Sequence, residues 1–290
     1  MKCSKCNNKA IISYPVRFCK KHFTEYYVNK IKNTIEKWKM FSKEDKILVA
    51  VSGGKDSSSL AYCLHLLGYD FEGLYINLEI PNYSDFCEEK IRKLFKMINK
   101  KLNIIRISEY GVKVSKIKNR PVCSVCGIIK RYLMNRFAYE NGFTVLVTAH
   151  NAADEAAFFF INLRSGNLIS LSKQKPVLSG YKKFIKKVKP SIYLTEKENL
   201  VFSIINNLPV CRIECPYADN NTQNIIKRKL YEIDREFKNF IIPTIKFLEK
   251  IEIPIKEPEI YECKNCSYPT SKKDDLCSFC KIRNYFNDKK

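Results

Sequence analysis

An apolar run that ends in a pair of glycines constrains the fold of this chain more than any other stretch. Residues 47–51 read Ile-Leu-Val-Ala-Val, residues 52–57 read Ser-Gly-Gly-Lys-Asp-Ser, and an apolar helical pattern follows. Adjacent glycines let bare backbone approach a ligand, and a helix start offers unpaired N–H groups and a positive dipole end. These features predict a phosphate-binding loop, with serine hydroxyls and the Lys55 ammonium as further donors. The loop is too short for a Walker motif, and the alternative is an ordinary glycine turn.

Apolar runs typical of β-strands alternate with helical patterns over much of the chain. The patterns predict strands at residues 47–51, 71–76, 102–107 and 144–148, and helices at residues 24–41, 59–67, 87–100, 126–139, 196–207 and 224–240. This alternation favours an α/β fold with a doubly wound parallel sheet. Ligands bind such sheets at the carboxyl ends of the strands. We therefore expect one composite site, formed by the glycine loop and the turns after residues 76 and 148.

Two groups of potential metal ligands flank the predicted sheet. Their spacings, Cys-x2-Cys with Cys-x2-His and a pair of Cys-x2-Cys motifs, are typical of tetrahedral zinc. The predicted ligands are Cys3, Cys6, Cys19 and His22 at one end, and Cys263, Cys266, Cys277 and Cys280 at the other. For the first group the alternative is a set of reduced thiols without metal. The predicted organisation is a zinc knuckle at 1–24, a catalytic domain at 25–252 and a zinc ribbon at 253–290, with a linker marked by Pro254 and Pro258.

Four more cysteines occupy two polar segments that are distant in sequence. Cys123 and Cys126 lie at a predicted helix N-terminus, which would favour thiolates, and Lys130 follows one turn later on the same helix face. Cys211 and Cys215 lie in a predicted loop. Together the cysteines indicate metal ligands, a redox pair or a sulfur relay, and a structural zinc site made by all four is the alternative. The remaining cysteines, Cys63 and Cys87, are expected to be ordinary packing residues.

The chain is strongly basic. It has 52 Lys and Arg against 30 Asp and Glu, a formal charge of +22, which favours a polyanionic partner, although a solvated lysine-rich surface gives the same total. The basic residues 165–190 are predicted to form a solvated loop, or a mobile flap that contacts backbone phosphate. No run approaches the length of a membrane span and no apolar signal core is present. We therefore expect a cytoplasmic protein with no membrane partner, whose cysteines bind metal or react rather than form disulfides.

In combination, the motifs resemble the TtuA/NcsA branch of tRNA 2-thiolation enzymes, within the TtcA-like PP-loop sulfurtransferases. The resemblance rests on residues 52–57, Cys123-x2-Cys126-Gly127 with Lys130-Arg131, His150-Asn151-x2-Asp154, Glu214-Cys215-Pro216-Tyr217 and the flanking zinc knuckles. It covers nearly the whole chain. The chain departs from the family pattern after residue 148, where it has Ala149, Ala153, Ala157 and Asn167. These departures leave open that the chain is a paralogue with a shifted substrate. For His150, the alternative to a role in the site is a structural role beside the sheet edge.

The resemblance implies an ATP-dependent tRNA sulfurtransferase that adenylates the C2 oxygen of a uridine and replaces it with sulfur. It implies that Cys123, Cys126 and Cys215 hold a [4Fe–4S] cluster, and that Asp56 and Lys130 are catalytic. The expected ATP-binding residues are Val51, Ser52, Gly53, Gly54, Lys55, Asp56, Ser57, Tyr75, His150 and Asp154. The expected cofactors are ATP, Mg²⁺, the cluster and two Zn²⁺. The expected partners are tRNA, a sulfur donor (a ubiquitin-like thiocarboxylate, a persulfide or sulfide) and a second copy of the chain in a homodimer.

Other mechanisms and functions stay open at the level of sequence. A persulfide on Cys123 or Cys126, resolved by Cys215, uses the same residues as the cluster mechanism and could act on another RNA base. An ATP pyrophosphatase that forms an amide or lysidine would have no use for these thiols. A zinc protein that only binds RNA would have no use for the glycine loop. The modified uridine, at the T-loop or the wobble position, and the role of Cys211 are not determined by these patterns.

Overall fold

The computed structural model describes residues 1–13, 16–117, 120–218, 221–254, 259–271 and 273–288. Within these ranges the chain folds around one six-stranded sheet. Its strands are β1 Ile47–Val51, β2 Phe71–Asn77, β3 Leu102–Arg106, β4 Val145–Val147, β5 Val177–Leu178 and β6 Lys186–Val188. The spatial order is β3-β2-β1-β4-β6-β5, with every pair parallel except β5 and β6. The predicted parallel α/β sheet is confirmed.

Ten α-helices and a small two-stranded ribbon complete the described part of the chain. The helices are α1 Lys20–Lys37, α2 Lys55–Leu66, α3 Ser84–Met97, α4 Val122–Glu140, α5 Ala152–Arg164, α6 Leu168–Ser172, α7 Glu196–Ile205, α8 Thr222–Glu236, α9 Ile241–Lys250 and α10 Ser278–Asn287. The ribbon strands are β7 Tyr261–Glu262 and β8 Pro269–Thr270. None of the helices described here is long and apolar enough to cross a membrane.

The alternation of side chains along the central strands creates two cores, one on each face of the sheet. On one face, Val49 and Val51 pack with buried residues of α1, α2 and α3. On the other face, Leu48 and Leu146 pack with buried residues of α4 and α10. Burial on both faces explains why β1 is an unbroken apolar run in the sequence. It also places α2 and α4 on opposite sides of the strand that leads into the glycine loop.

Residues 165–190 do not form the predicted solvated loop. They contain α6, β5 and β6, and β6 extends the parallel sheet by pairing with β4. The lysine-rich sequence hides this strand, because only Val188 enters the apolar core while Lys187 and Lys189 lie on the other side of the strand. Helix α9 is likewise not among the predicted helices, and Pro258 of the predicted linker lies outside the described residues.

Candidate functional site

The glycine loop lies at the carboxyl end of β1 and is shaped by a close contact with α3. Gly53 has φ +86°, and a Cβ on it would lie 2.9 Å from Cys87 Cβ and 3.1 Å from the Cys87 carbonyl oxygen. The Ser52 N–H donates to Ser57 Oγ at 3.1 Å, which holds the loop closed. No side chain caps the start of α2. Its first N–H groups are therefore available to an anion in the loop.

Asp56 is held at the loop by amides from two distant helices. The Asn199 Nδ2 group of α7 donates to Asp56 Oδ1 at 2.5 Å, and Asn151 Nδ2 lies 3.4 Å from the same oxygen. Lys55 Nζ lies 3.2 Å from Oδ2. Burial raises the pKa of Asp56 while the Lys55 ammonium lowers it. The sequence pattern identified Asp56 but gave no signal for Asn199, which is an ordinary polar residue of a helix far along the chain.

A network of ion pairs joins the loop to α5, α7 and α8. Lys55 Nζ lies 3.8 Å from Glu196 Oε2, and Glu196 also pairs with Lys227. Lys227 Nζ lies 2.9 Å from Asp154 Oδ1. Although burial opposes its charged form, Asp154 and Glu196 raise the pKa of Lys227. Asp154 also closes a capping box with Asn151 at the start of α5, so its carboxylate orients the helix beside the loop.

The predicted cluster cysteines lie on two segments that meet beside the loop. Cys123 Sγ, in the first turn of α4, donates to the Tyr217 carbonyl oxygen at 3.4 Å. Burial raises the pKa of Cys123, and so do the neighbouring Cys126 and Cys215, while Lys130 lowers it. The helix N-terminus was predicted to favour thiolates, but at Cys123 burial and the neighbouring thiols outweigh it. Cys126 and Cys215 pack against the same core, and both thiols act on the pKa of Cys123, so the three cysteines are neighbours.

Cys211 lies under the glycine loop, next to Cys87. Its N–H donates to the Gly53 carbonyl oxygen at 2.7 Å. Burial raises the pKa of Cys87 to about 12, and the adjacent Cys211 thiol contributes to the rise. Among the described residues, no three of the four cysteines of the α4 and 211–215 segments have all their sulfurs within 4.8 Å of one another. This geometry argues against the single structural zinc site that was the alternative.

Comparisons with known proteins identify the family. Residues 23–187 match the model of the PP-loop domain. A tRNA-5-methyluridine(54) 2-sulfurtransferase of Pyrococcus horikoshii is 44% identical over 97% of this chain and 93% of its own length. The protein of the same name from Thermotoga maritima is 36% identical over 100% of this chain and 98% of its own. The chain belongs to the PP-loop family of tRNA 2-sulfurtransferases.

A solved structure is consistent with this membership at the level of the fold. The U34-tRNA thiolase NcsA from Methanococcus maripaludis, solved with its [4Fe–4S] cluster, superposes with a TM-score of 0.80. The alignment covers 99% of this chain and 96% of that chain at 24% sequence identity. Because the glycine loop lies within the matched PP-loop domain, it is the PP-loop of this chain.

Tyr75 and His150, which are predicted to bind ATP, differ from the PP-loop residues in their surroundings. The Tyr75 hydroxyl is buried and donates to the Ser84 carbonyl oxygen at 2.7 Å, which commits its polar atom to the core. The His150 Nδ1 atom is buried and lies 3.5 Å from Glu155 Oε1, and it has no hydrogen-bond partner among the described residues. Burial lowers the pKa of His150 to about 3. The charges of Lys187 and other lysines lower it further, while the Glu155 carboxylate opposes the decrease. The imidazole is therefore neutral at physiological pH.

The eight terminal residues predicted to bind zinc form two compact groups. In each group all four ligand atoms lie within 4.8 Å of one another. At the N-terminal group, His22 Nδ1 lies 3.4 Å from the sulfurs of both Cys3 and Cys19. At the C-terminal group, Cys266 Sγ lies 3.8 Å from Cys277 Sγ. Each group could hold one metal ion, and thiolate and imidazole ligands in fours suit tetrahedral zinc.

Proposed function

We propose that this PP-loop protein is an ATP-dependent tRNA 2-sulfurtransferase in which one pocket both activates a uridine and delivers sulfur. The observation that carries the proposal is the segment 211–217. At one end Cys211 N–H bonds to the Gly53 carbonyl, and at the other end the Tyr217 carbonyl accepts from Cys123. A single short segment therefore links the phosphate-binding loop to the thiols.

The proposed target is the 5-methyluridine at position 54 of tRNA. The support is the name shared by the two relatives reported above, which are 44% and 36% identical over almost the whole chain. A formal charge of +22 suits a polyanionic substrate of this kind. The three alanines that depart from the family pattern, at positions 149, 153 and 157, lie in or just before α5. The capping box of this helix, formed by Asn151 and Asp154, is still present.

The residues around the PP-loop suit adenylation of the uridine C2 oxygen. The N–H groups of Gly53, Gly54 and Lys55 and the dipole of α2 would bind the β- and γ-phosphates and stabilise departing pyrophosphate. The oxygen attacks the α-phosphorus, so the O–P bond forms as the bond to pyrophosphate breaks. Asp56, held by Asn199, presents a carboxylate of the type that Mg²⁺ prefers. Lys130, one turn beyond Cys126, would offset negative charge on the adenylated base.

The donor set of Cys123, Cys126 and Cys215 fits the proposed [4Fe–4S] cluster. Thiolates bound to different irons of a cluster need not lie as close together as the ligands of one ion, so the cluster does not require the close grouping of the terminal ligands. Three cysteines leave one iron open, and the bound cluster would supply a Lewis-acid position for sulfur. The raised pKa of Cys123 disfavours a free thiolate at neutral pH. Coordination removes that obstacle because a metal deprotonates the thiol it binds.

We also propose that the terminal groups bind structural zinc, in a knuckle at 1–24 and a ribbon at 253–290. The ribbon supports the helix that carries the thiols, because the Phe279 ring of α10 stacks on Tyr132 of α4 at 3.9 Å between centroids. A cytoplasmic homodimer that takes sulfur from a thiocarboxylate, persulfide or sulfide completes the proposal. Light scattering tests the assembly, and metal analysis tests the zinc content.

The direct test is single-turnover thiolation by anaerobically reconstituted protein. Wild-type protein with ATP, Mg²⁺, sulfide and tRNA should yield AMP, pyrophosphate and one 2-thiolated nucleoside, which mass spectrometry of nuclease fragments should locate at position 54. A tRNA carrying cytidine at position 54 is the matched control and should gain no sulfur. Sulfur at another position would refute the assignment of the target. Release of AMP without any thionucleoside would refute the sulfur-transfer proposal.

A further inference from the structure

Three cations beside the predicted thiol site have no carboxylate partner in the described part of the chain. They are Lys130 and Arg131 of α4 and Lys187 of β6, and none of them takes part in any of the ion pairs of the structure. By contrast, Lys55 and Lys227 beside the PP-loop are both paired. Lys130 and Lys187 are half-buried and Arg131 is exposed. A half-buried cation without a partner is unfavourable, and several unpaired cations together indicate a missing anion.

The position of Lys187 follows from the register of the sheet. Lys187 lies opposite Leu146 of β4, and Leu146 packs in the core covered by α4. The alternation along β6 sends Val188 into the opposite core, next to α1 and α2. Lys187 is therefore on the face of the sheet that α4 covers, level with Leu48 of β1. Burial lowers the pKa of Lys187 to about 8, and the charges of Lys189 and Arg131 add to this effect.

Arg131 reaches the same region by folding back along α4. A Cβ on Gly127 would lie 3.1 Å from Arg131 Nη1 and 3.5 Å from Nη2, so the guanidinium occupies the space that the glycine leaves free. This position is beside the turn that carries Cys126. Although Arg131 as a whole is exposed, partial burial of its guanidinium lowers its pKa, and Cys126 opposes that decrease.

The carboxylate of this region, that of Glu155, is already in an ion pair. Glu155 Oε2 pairs with Lys189 Nζ at 2.7 Å, and the two side chains are only 2% and 8% exposed. The neighbouring His150 is neutral, and its buried Nδ1 has no hydrogen-bond partner. Glu155 therefore pairs with Lys189, and although its charge raises the pKa of Lys187, it forms no ion pair with Lys187 or Arg131 in the described part of the chain.

We propose that Arg131 and Lys187 bind one backbone phosphate of the substrate tRNA, next to the base that reacts. The inference rests on the proposed function, because it requires tRNA as the substrate. A guanidinium from one element and an ammonium from another suit the oxygens of a single phosphate. The phosphates of ATP have their own cradle in the PP-loop, on the N-terminus of α2. A phosphate contact here would fix the register of the tRNA without reading its sequence.

The test compares lysines on opposite faces of one strand. Lys187→Gln removes the proposed contact, and Lys186→Gln is the matched control, because Lys186 Nζ instead bonds to the Lys39 carbonyl oxygen at 3.1 Å on the other face. Reconstituted proteins are titrated with labelled tRNA at several salt concentrations. We expect Lys187→Gln and Arg131→Gln each to weaken binding about tenfold. In the double variant, the salt slope should fall by about 0.9, the value for one phosphate.

The controls separate this inference from the function on which it rests. Iron content and ATP affinity should be unchanged in Lys187→Gln, because the contact is with tRNA alone. Equal binding by the Lys187→Gln and Lys186→Gln variants would overturn the inference while wild-type thiolation left the proposed function intact. Loss of iron or of ATP affinity with normal tRNA binding would assign the cations to the cluster or the nucleotide instead. Failure of the wild-type protein to bind tRNA would refute the proposed function itself.

Discussion

The substitution Gly53→Ala is the sharpest test of how the PP-loop is built. Gly53 combines φ +86° with direct contact against the backbone of α3. An alanine there incurs roughly 1–2 kcal/mol for left-handed backbone. Its methyl group would also lie 2.9 Å from Cys87 Cβ and 3.1 Å from the Cys87 oxygen, and neither atom is the end of a flexible side chain. Overpacking of this kind costs roughly 1–3 kcal/mol more.

The sum, about 2–5 kcal/mol, must appear as lost stability or as a displaced loop. Gly68→Ala is the control, because Gly68 has φ +73° and a methyl group added to it would have no atom within 4 Å. It should show the backbone cost alone, about 1–2 kcal/mol. Denaturant unfolding gives the stability of both variants, and calorimetry with a non-hydrolysable ATP analogue gives the affinity. We expect Gly53→Ala to lose about 30-fold in affinity, equivalent to roughly 2 kcal/mol. If both variants were equally stable and bound nucleotide like the wild type, this account of the loop would be wrong.

Two other predictions follow from the charged groups of the site. Asn199→Ala removes the 2.5 Å hydrogen bond to Asp56, so AMP formation should fall by at least about tenfold with the fold retained, as judged by circular dichroism; an unchanged rate would show that Asn199 does not position Asp56. Lys187 has a pKa of about 8 in the free protein, and a bound phosphate should raise it. Its contribution to tRNA affinity should therefore be complete below pH 8 and be lost as the pH rises through the higher pKa of the complex. The affinity ratio between wild type and Lys187→Gln should shrink from pH 7 to pH 10, and a constant ratio would contradict this.

The sequence predicts the fold best where burial on both faces dictates the residues. Strand β1 is predicted with the bounds that the structure has, because all five residues are apolar and most are enclosed. Strand β6 is missed because it carries two lysines and only one fully buried apolar side chain, Val188. A three-residue strand at that composition has no period that could distinguish it from a charged loop. The strands that pair with β6 become its neighbours only when the sheet folds.

The residues of the candidate site likewise divide into those that a local motif predicts and those that only the tertiary structure brings to the site. Local motifs identify the PP-loop and the two terminal metal-ligand groups, since short spacings directly impose proximity. Asn199, Glu196 and Lys227 reach the site through the packing of α7 and α8, and no local pattern marks them. The pairing of Cys211 with Cys87 is likewise a consequence of tertiary structure, since α3 packs under Gly53.

We expect Cys123, Cys126 and Cys215 to hold the cluster beside the PP-loop, whereas the Cys211 thiol is not a ligand of it. Iron content and single-turnover thiolation, measured together on Cys215→Ser and Cys211→Ser, test it most directly. Cys215→Ser should lose the cluster iron and all thiolation, whereas Cys211→Ser should keep its iron and most of its activity, because its thiol is adjacent to Cys87. Loss of iron from Cys211→Ser with full iron and thiolation in Cys215→Ser would contradict the account.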